Sequence, residues 1–258
     1  MMINQTINQL LDMRLPSMET ELRRQIELPA MTDLSFEERF SLIVEAEWRG
    51  RYNAKINRLI KAAKLRFPYA SLEDVDFDEV RKLNRALIAR MSDMSWLAEN
   101  RNLFITGATG TGKTWVASAF GNAACRMGKK VSMYRMSRLL DKLRAARSDG
   151  SWVKLMGTLA KPNLLILDDF GLDRLDTRHC RDLYEIVEDR LGAGSIIITT
   201  QLPVSEWHGI FDDKTVADAA LDRIVNNSIR IELHGPSRRV FDNYDKNTDS
   251  KDKRRKQH

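Results

Sequence analysis

The chain has 258 residues, 43% hydrophobic and 30% charged, with 13 glycines and 6 prolines, which excludes a low-complexity or wholly disordered protein and allows one large domain with a smaller companion. No run approaches 18 consecutive apolar residues, so no membrane span is expected, and the opening MMINQTINQLLDMR lacks the basic start and apolar stretch of a secretory signal. A net charge of +6 gives only a weak lean toward acidic partners, so the distribution of the charges has to decide.

The first third is helical in pattern. Ile3, Ile7, Leu10, Leu11 and Leu15 recur at helix spacing, and Pro16 follows. The stretch LPAMTDL, residues 28–34, breaks the periodicity. Ser35 with Glu38 three residues on is a capping box and opens a second helix through Phe36, Phe40, Ile43 and Val44, with a bend or pause expected at Gly50. Beyond Gly50, Ile56, Leu59, Ile60 and Ala63 share one face, opposite a basic stripe of Arg51, Lys55 and Arg58 that Lys61 and Lys64 widen. Arg49 to Arg66 holds seven basic residues and no acidic one, and Pro68 ends the region. Residues 69–80 read as an extended linker, followed by a helix reaching about Ala98.

From there the periodicity changes. LFIT (103–106), VSMY (131–134), LLIL (164–167), SIIITT (195–200) and IRIEL (229–233) are short apolar or β-branched runs separated by helical patterns. That alternation predicts an α/β fold with a five-stranded parallel sheet covered on both faces. The tail after Val240 is polar and charged, and disorder is expected there. Cys125 and Cys180 have no partners at metal-ligand spacing, which fits buried free thiols in a reduced cytosol.

Between the first strand and the helix after it lies GATGTGKT, Gly107 to Thr114, which fits G-x-x-x-x-G-K-[ST]. In that context Gly107, Ala108, Thr109, Gly110, Thr111 and Gly112 supply a bare backbone whose N–H groups can close around phosphates at a helix N-terminus. Lys113 would neutralise phosphate oxygens, and the Thr114 hydroxyl would ligate Mg²⁺, so ATP with Mg²⁺ is the expected ligand. Trp115 follows in the first helical turn. LLILDDFG supplies the complementary half: an apolar strand delivers Asp168 and Asp169 to its carboxyl end, where open α/β sheets bind ligands. Asp168 would hold the Mg²⁺ through water, and Asp169 would orient or deprotonate the attacking water.

With both motifs in place the chain resembles the AAA+ ATPases, in the branch of DnaC-type helicase loaders and IstB-type transposition proteins, and IstB in particular. The resemblance rests on GATGTGKTWVASAFGNAACRMGKKV, LLILDDFGL, IIITTQLPVSEWHGIF and ALDRIVNNSIRIELHGPSRR, and on LSFEERFSLIVEAEW ahead of LRFPYASLEDVDF. It covers residues 5–240. It implies a helical N-terminal domain over 1–68 that binds DNA or a partner and an AAA+ core over 69–240, and composition makes 241–258 a disordered basic tail. It further implies assembly on duplex DNA as a homo-oligomer, and a partner transposase that the assembly directs to target DNA and stimulates. By position, Gln201 falls at the sensor-one polar residue and Arg223 at the arginine finger offered to the adjacent subunit. Arg238 or Arg239 falls where a sensor-two contact to nucleotide would lie, although little chain remains for the usual lid. Asp169 stands where many AAA+ proteins carry Glu, which suggests slow, switch-like hydrolysis.

The basic segments complete the picture. Besides Arg49, Arg51, Lys55, Arg58, Lys61 and Lys64, the stretch Arg126 to Arg147 contains Arg135, Arg138, Lys142 and Arg144 among eight basic residues against Asp141 alone. Such runs contact DNA phosphates without reading sequence, although a single run is as well explained by a solvated helix face. The alternatives are a DnaC-like replicative helicase loader, a small-molecule kinase, or a nucleotide-gated adaptor without useful hydrolysis.

Overall fold

The computed structural model describes residues 2–77 and 82–237. Contacts divide the chain into two units, Met1–Arg58 and Leu59–His258. No described helix is long and apolar enough to cross a membrane.

The first unit contains α1 (Met2–Asp12), α2 (Pro16–Glu27), a 3-10 turn (Pro29–Asp33) and most of α3 (Phe36–Ala63). Pro16 opens α2, where its missing N–H costs nothing. The capping box forms as expected: Ser35 N donates to Glu38 Oε2 at 2.8 Å, and Glu38 N donates to Ser35 Oγ at 3.3 Å. The expected interruption at Gly50 is absent, and α3 runs straight through it. Gly50 serves instead as a point of close approach, where a Cβ would come 2.3 Å from Ser17 Oγ on α2. The α2–α3 contact is completed by Glu47, buried on α3, which accepts from Ser17 N and Met18 N at 3.0 and 3.2 Å and so closes the start of α2.

In the second unit the last turn of α3 joins the core. Ala63 and Leu65 are buried there, with Leu59 and Ile60 packed alongside. The division therefore falls inside α3, ahead of the break expected at Pro68, because the apolar face that begins at Leu59 belongs to the larger core. The single helix expected up to Ala98 is two pieces, α4 (Arg85–Met91) and α5 (Ser95–Ala98). Met94 between them has φ 60°, and the Asp93 carboxylate accepts from Ser95 N at 2.9 Å, a local bond that competes with helix continuation. Part of the expected linker and helix start, 78–81, lies outside the described residues.

Five strands follow as the pattern predicts: β1 (Asn102–Gly107), β2 (Val131–Arg135), β3 (Leu164–Phe170), β4 (Ser195–Thr200) and β5 (Ser228–Leu233). All pairs are parallel, in the order β2-β3-β4-β1-β5, so β4 separates the strand carrying the acids from the strand preceding the phosphate loop. Alternate side chains feed two cores. Leu103, Ile105, Leu164, Ile166 and Ile197 face α6 (Lys113–Arg126), whereas Phe104, Leu165, Leu167, Ile196 and Ile198 face α7 (Met136–Asp149), α8 (Trp152–Ala160), α9 (Thr177–Arg190) and α10 (Lys214–Val225). Parallel strands bring the carboxyl ends of β1, β2, β3 and β4 to one edge, and the site is built there.

The opposite edge is closed by Arg190. Its guanidinium is buried and donates to the carbonyls of Leu159 (2.9 Å), Ala160 (3.3 Å), Asn163 (3.4 Å) and Ser195 (2.8 Å). Arg190→Met keeps most of the apolar stem and strands these four acceptors. The expected cost is about 3 kcal/mol, read as a lower urea midpoint at unchanged slope; a midpoint within error of wild type would deny Arg190 this role.

Candidate nucleotide site

The loop between β1 and α6 has the shape its glycines allow. Gly107 has φ 145°, and a Cβ there would stand 2.2 Å from the Leu233 carbonyl oxygen at the end of β5. Gly110 has φ 80°, and a Cβ would stand 2.1 Å from Ser237 Oγ. Both demands are backbone or close-approach constraints that no side chain meets without displacement. The second also lays the segment ending at Ser237 against the loop. Arg238 and Arg239, the expected nucleotide contacts, lie just outside the described residues, as does the 241–258 tail.

Lys113 is buried at the loop's heart, where its Nζ donates to Gly107 O at 2.8 Å and Ala108 O at 2.7 Å. The Thr111 hydroxyl ties the loop on itself by donating to Ala108 O at 2.9 Å, while Ala108 and Thr109 are exposed at its tip. Trp115, in the first turn of α6, is partly buried and packs against the core.

Across the edge, β3 ends in a register shift between Leu167 and Phe170, and Asp169 has φ 60°. The irregularity sends two adjacent carboxylates to two different places. Asp168 is 2% exposed and accepts from Thr114 Oγ1 at 2.9 Å and Thr199 Oγ1 at 2.6 Å, with Arg66 Nη1 3.9 Å from its other oxygen. Burial pushes its carboxyl above the ordinary range, and the two threonine hydroxyls offset part of that. Asp169 is less buried and pairs with Arg135 Nε at 3.0 Å. A hydroxyl beside a buried carboxylate is the hard oxygen donor set that Mg²⁺ prefers, and it lies one residue from the phosphate-loop lysine. Thr114 and Asp168 thus fit the metal, and the loop fits a chain of phosphates.

Thr199 is a component that motif reading missed. Its hydroxyl donates to Asp168 and accepts from Asp169 N at 3.0 Å, so it fixes both acids. The sequence signal was strand alternation: Ile197 and Thr199 share the face of β4 opposite Ile198, but a threonine inside ITTQ does not stand out from its β-forming neighbours. Gln201 follows β4 by one residue, exposed, at the same edge.

Arg223 is elsewhere. It lies in the last turn of α10, just before β5 begins beside the start of β1. At about 3.3 Å per residue that is roughly 17 Å along the strand from the loop end of the sheet. Within the chain it pairs with Glu188 at 2.5 Å and lies 4.9 Å over the Tyr184 ring. The geometry does not bring Arg223 to its own phosphate loop.

The basic residues prove unequal. Arg49 pairs with Glu45 at 2.5 Å and Arg51 with Glu47 at 2.8 Å, acids one turn upstream of the run that looked unopposed. Arg135 is the partner of Asp169, so it belongs to the nucleotide site in this arrangement and is not a free phosphate contact. Arg144 lies 3.8 Å from Asp141, and Lys142 lies 5.3 Å over the Tyr134 ring. Lys55, Arg58, Lys61, Lys64 and Arg138 are exposed with no ion-pair partner among the described residues.

Comparison with known proteins gives the family and the fold. The family model for IstB-like ATP binding protein matches residues 8–245. An insertion-sequence ATP-binding protein of Sinorhizobium fredii is 43% identical over 239 residues, covering 93% of this chain and 97% of its own length. A protein of Pseudomonas fluorescens, named as the ATP-binding protein of insertion sequence IS1162, is 43% identical over 205 residues, covering 80% and 89%. Among solved structures, the DnaC helicase loader superposes with TM-score 0.54 at 20% identity, over 64% of this chain and 96% of that one, a likeness of fold.

Because the folded protein holds the Asp168 proton more tightly than the unfolded chain, the ionised form is a liability in the nucleotide-free state. Stability contributed by the protonated carboxyl is present below the unfolded value near 3.8 and is lost as pH rises through the elevated folded value. Asp168→Asn should therefore raise the melting temperature of the nucleotide-free protein at neutral pH and flatten its decline across that window; a lower melting temperature would show the carboxylate to be a net stabiliser.

Proposed function

The chain belongs to the family of IstB-like ATP-binding proteins, and on that footing we propose that it hydrolyses ATP between subunits of a homo-oligomer built on duplex DNA, and that this assembly serves a partner transposase in choosing and activating target sites. Binding of ATP follows from the family and the loop. The observation that supports a hydrolytic site is the 2.9 Å bond from Thr114 to Asp168, which joins the phosphate-loop helix to the acid strand across β4. In the proposed site the loop from Gly107 to Trp115 receives the phosphates, with Arg238 a further contact from the segment after Ser237. Lys113 exchanges its two loop carbonyls for phosphate oxygens. Thr114 and Asp168 would hold Mg²⁺, which supplies charge neutralisation at the phosphates.

Asp169 orients the attacking water and takes its proton as the oxygen–phosphorus bond forms and ADP departs. Thr199 holds the Asp169 peptide in place, and Gln201 faces the γ-phosphate from the end of β4. Arg223 is too far from its own loop to act in cis, which supports its service to a neighbour's nucleotide as an arginine finger. The Arg135–Asp169 pair and the short side chain of Asp169 support slow turnover: the base must leave a cation before it can serve.

For DNA, the exposed Lys55, Arg58, Lys61, Lys64 and Arg138 are the principal phosphate contacts. Arg49, Arg51, Lys142 and Arg144 contribute by rearranging from their present partners, and Arg135 by leaving Asp169. Neither run carries a base-reading element, so affinity should depend on salt more than on sequence. The fold shared with the DnaC helicase loader keeps one rival in view, a loader whose ligand is a replicative helicase; affinity capture from cells carrying the insertion sequence separates the two by which partner is recovered.

Two further outcomes are expected. Lys113→Ala and Arg223→Ala should each reduce DNA-stimulated hydrolysis by about 10³-fold or more, and an equimolar mixture should regain activity, because one chain supplies an intact loop and the other an intact arginine. A mixture as inactive as its parts would contradict a shared site. Log affinity for duplex DNA should fall linearly with log salt, and Lys61→Ala with Lys64→Ala should make that slope shallower by about 2; an unchanged slope would remove these lysines from the interface.

A further inference from the structure

Arg66 ends the first basic run, yet its guanidinium lies at the acid strand, with Nη1 3.9 Å from Asp168 Oδ2. The backbone that carries it is clamped. The chain leaves α3 through Lys64, whose φ is 54°, and Leu65 then packs so closely on α6 that a Cβ at Gly121 would stand 2.7 Å from Leu65 Cδ2. Arg66 N donates to Met133 Sδ on β2 at 3.4 Å, and Asn122 Nδ2 on α6 donates to the carbonyls of Pro68 (2.6 Å) and Ala70 (3.1 Å). The phosphate loop opens α6, and β2 pairs with the acid strand, so Arg66 projects from a stretch fixed to both halves of the site. All of these residues lie in the larger unit.

We propose that Arg66 binds the γ-phosphate of the ATP held by its own chain, and so sets the preference of the site for ATP over ADP. The inference rests on the nucleotide reading above and on none of its claims about DNA or a transposase. The side chain is held loosely: it is half exposed, and at 3.9 Å it attracts Asp168 without a hydrogen bond. Both threonine hydroxyls bond Asp168 Oδ1, so Arg66 faces the oxygen they leave. Mg²⁺ at that carboxylate would set a like charge beside the guanidinium and cancel the attraction. The terminal phosphate, which shares the metal with Asp168, is the anion to which the guanidinium then transfers, and its oxygens match a planar fork of N–H donors. ADP lacks that group and gains nothing from Arg66. The other cations of the site are engaged differently, Lys113 inside the loop and Arg135 on Asp169. Arg223 serves a neighbour's nucleotide, whereas Arg66 serves its own.

Isothermal titration calorimetry on the full chain with Mg²⁺ and without DNA, using ADP and a non-hydrolysable ATP analogue, tests it. Arg66 makes its structural bond through its backbone N, so Arg66→Ala and Arg66→Gln should keep the circular dichroism of the wild type. Each should weaken the ATP analogue about tenfold or more and leave ADP within about twofold, as the loss of one charge-assisted hydrogen bond implies. Arg66→Lys, which keeps the charge without the fork, should recover part of the loss. Adding an equimolar amount of the Lys113→Ala chain to Arg66→Ala should leave the defect in place, because an intact Arg66 on a neighbour cannot reach the nucleotide. An equal loss for both nucleotides, or no loss, overturns the proposal. Tighter binding of both overturns it too, since Arg66 would then only screen Asp168 against the metal. Restoration by the Lys113→Ala chain would place the contact in trans and contradict it equally. Wild-type protein that binds neither nucleotide defeats the functional reading along with this one, whereas normal binding that the Arg66 variants leave unaltered defeats this one alone.

Discussion

A carboxylate held almost out of water at the end of β3 constrains most of what surrounds it. Asp168 cannot remain ionised there without partners, and the fold supplies hydroxyls from two directions: Thr114 at the start of the phosphate-loop helix and Thr199 on the intervening strand. Those bonds need β4 between β1 and β3, which the order β2-β3-β4-β1-β5 provides. They also need α6 to begin at Lys113, which the glycines of the loop permit by letting the chain pass within contact distance of Leu233 and Ser237. The strand order, the loop and the buried acid are one arrangement seen from three sides.

The same arrangement ties chemistry to its surroundings. The bulge that buries Asp168 turns Asp169 outward, toward Arg135 on β2, the residue from which α7 starts. Whatever draws Arg135 away therefore changes the charge beside Asp169. At the far edge Arg223 is held by Glu188 and Tyr184, displaced from its own loop by the length of the sheet. Asp169 and Arg223 are thus each engaged by a partner inside the isolated chain.

Much of this was legible in the residues. The phosphate loop and LLILDDFG carry their own context, because strand, turn and helix signals flank them, and the alternation of apolar runs specified a parallel sheet. The capping box at Ser35 was equally local. What could not be read depended on neighbours distant in sequence. Gly50 looks like a breaker until Ser17 is seen against it. Arg49 and Arg51 are a different case: Glu45 and Glu47 stand only four residues upstream, outside the run that starts at Arg49. Arg135 reads as one more cation in a basic run, and only the β2–β3 register sets it beside Asp169. Thr199 was hidden by composition, a hydroxyl among β-forming residues whose partners lie thirty positions earlier.

The central claim is that a triphosphate seated between the loop and Asp168 joins one chain to the next on DNA. Mass photometry on a duplex of about 60 base pairs, with Mg²⁺ and with or without a non-hydrolysable ATP analogue, measures that joining directly. The account predicts a nucleotide-dependent increase to complexes of several subunits per duplex, abolished by Lys113→Ala. Identical mass distributions with and without the analogue, at concentrations that saturate the site, would contradict it.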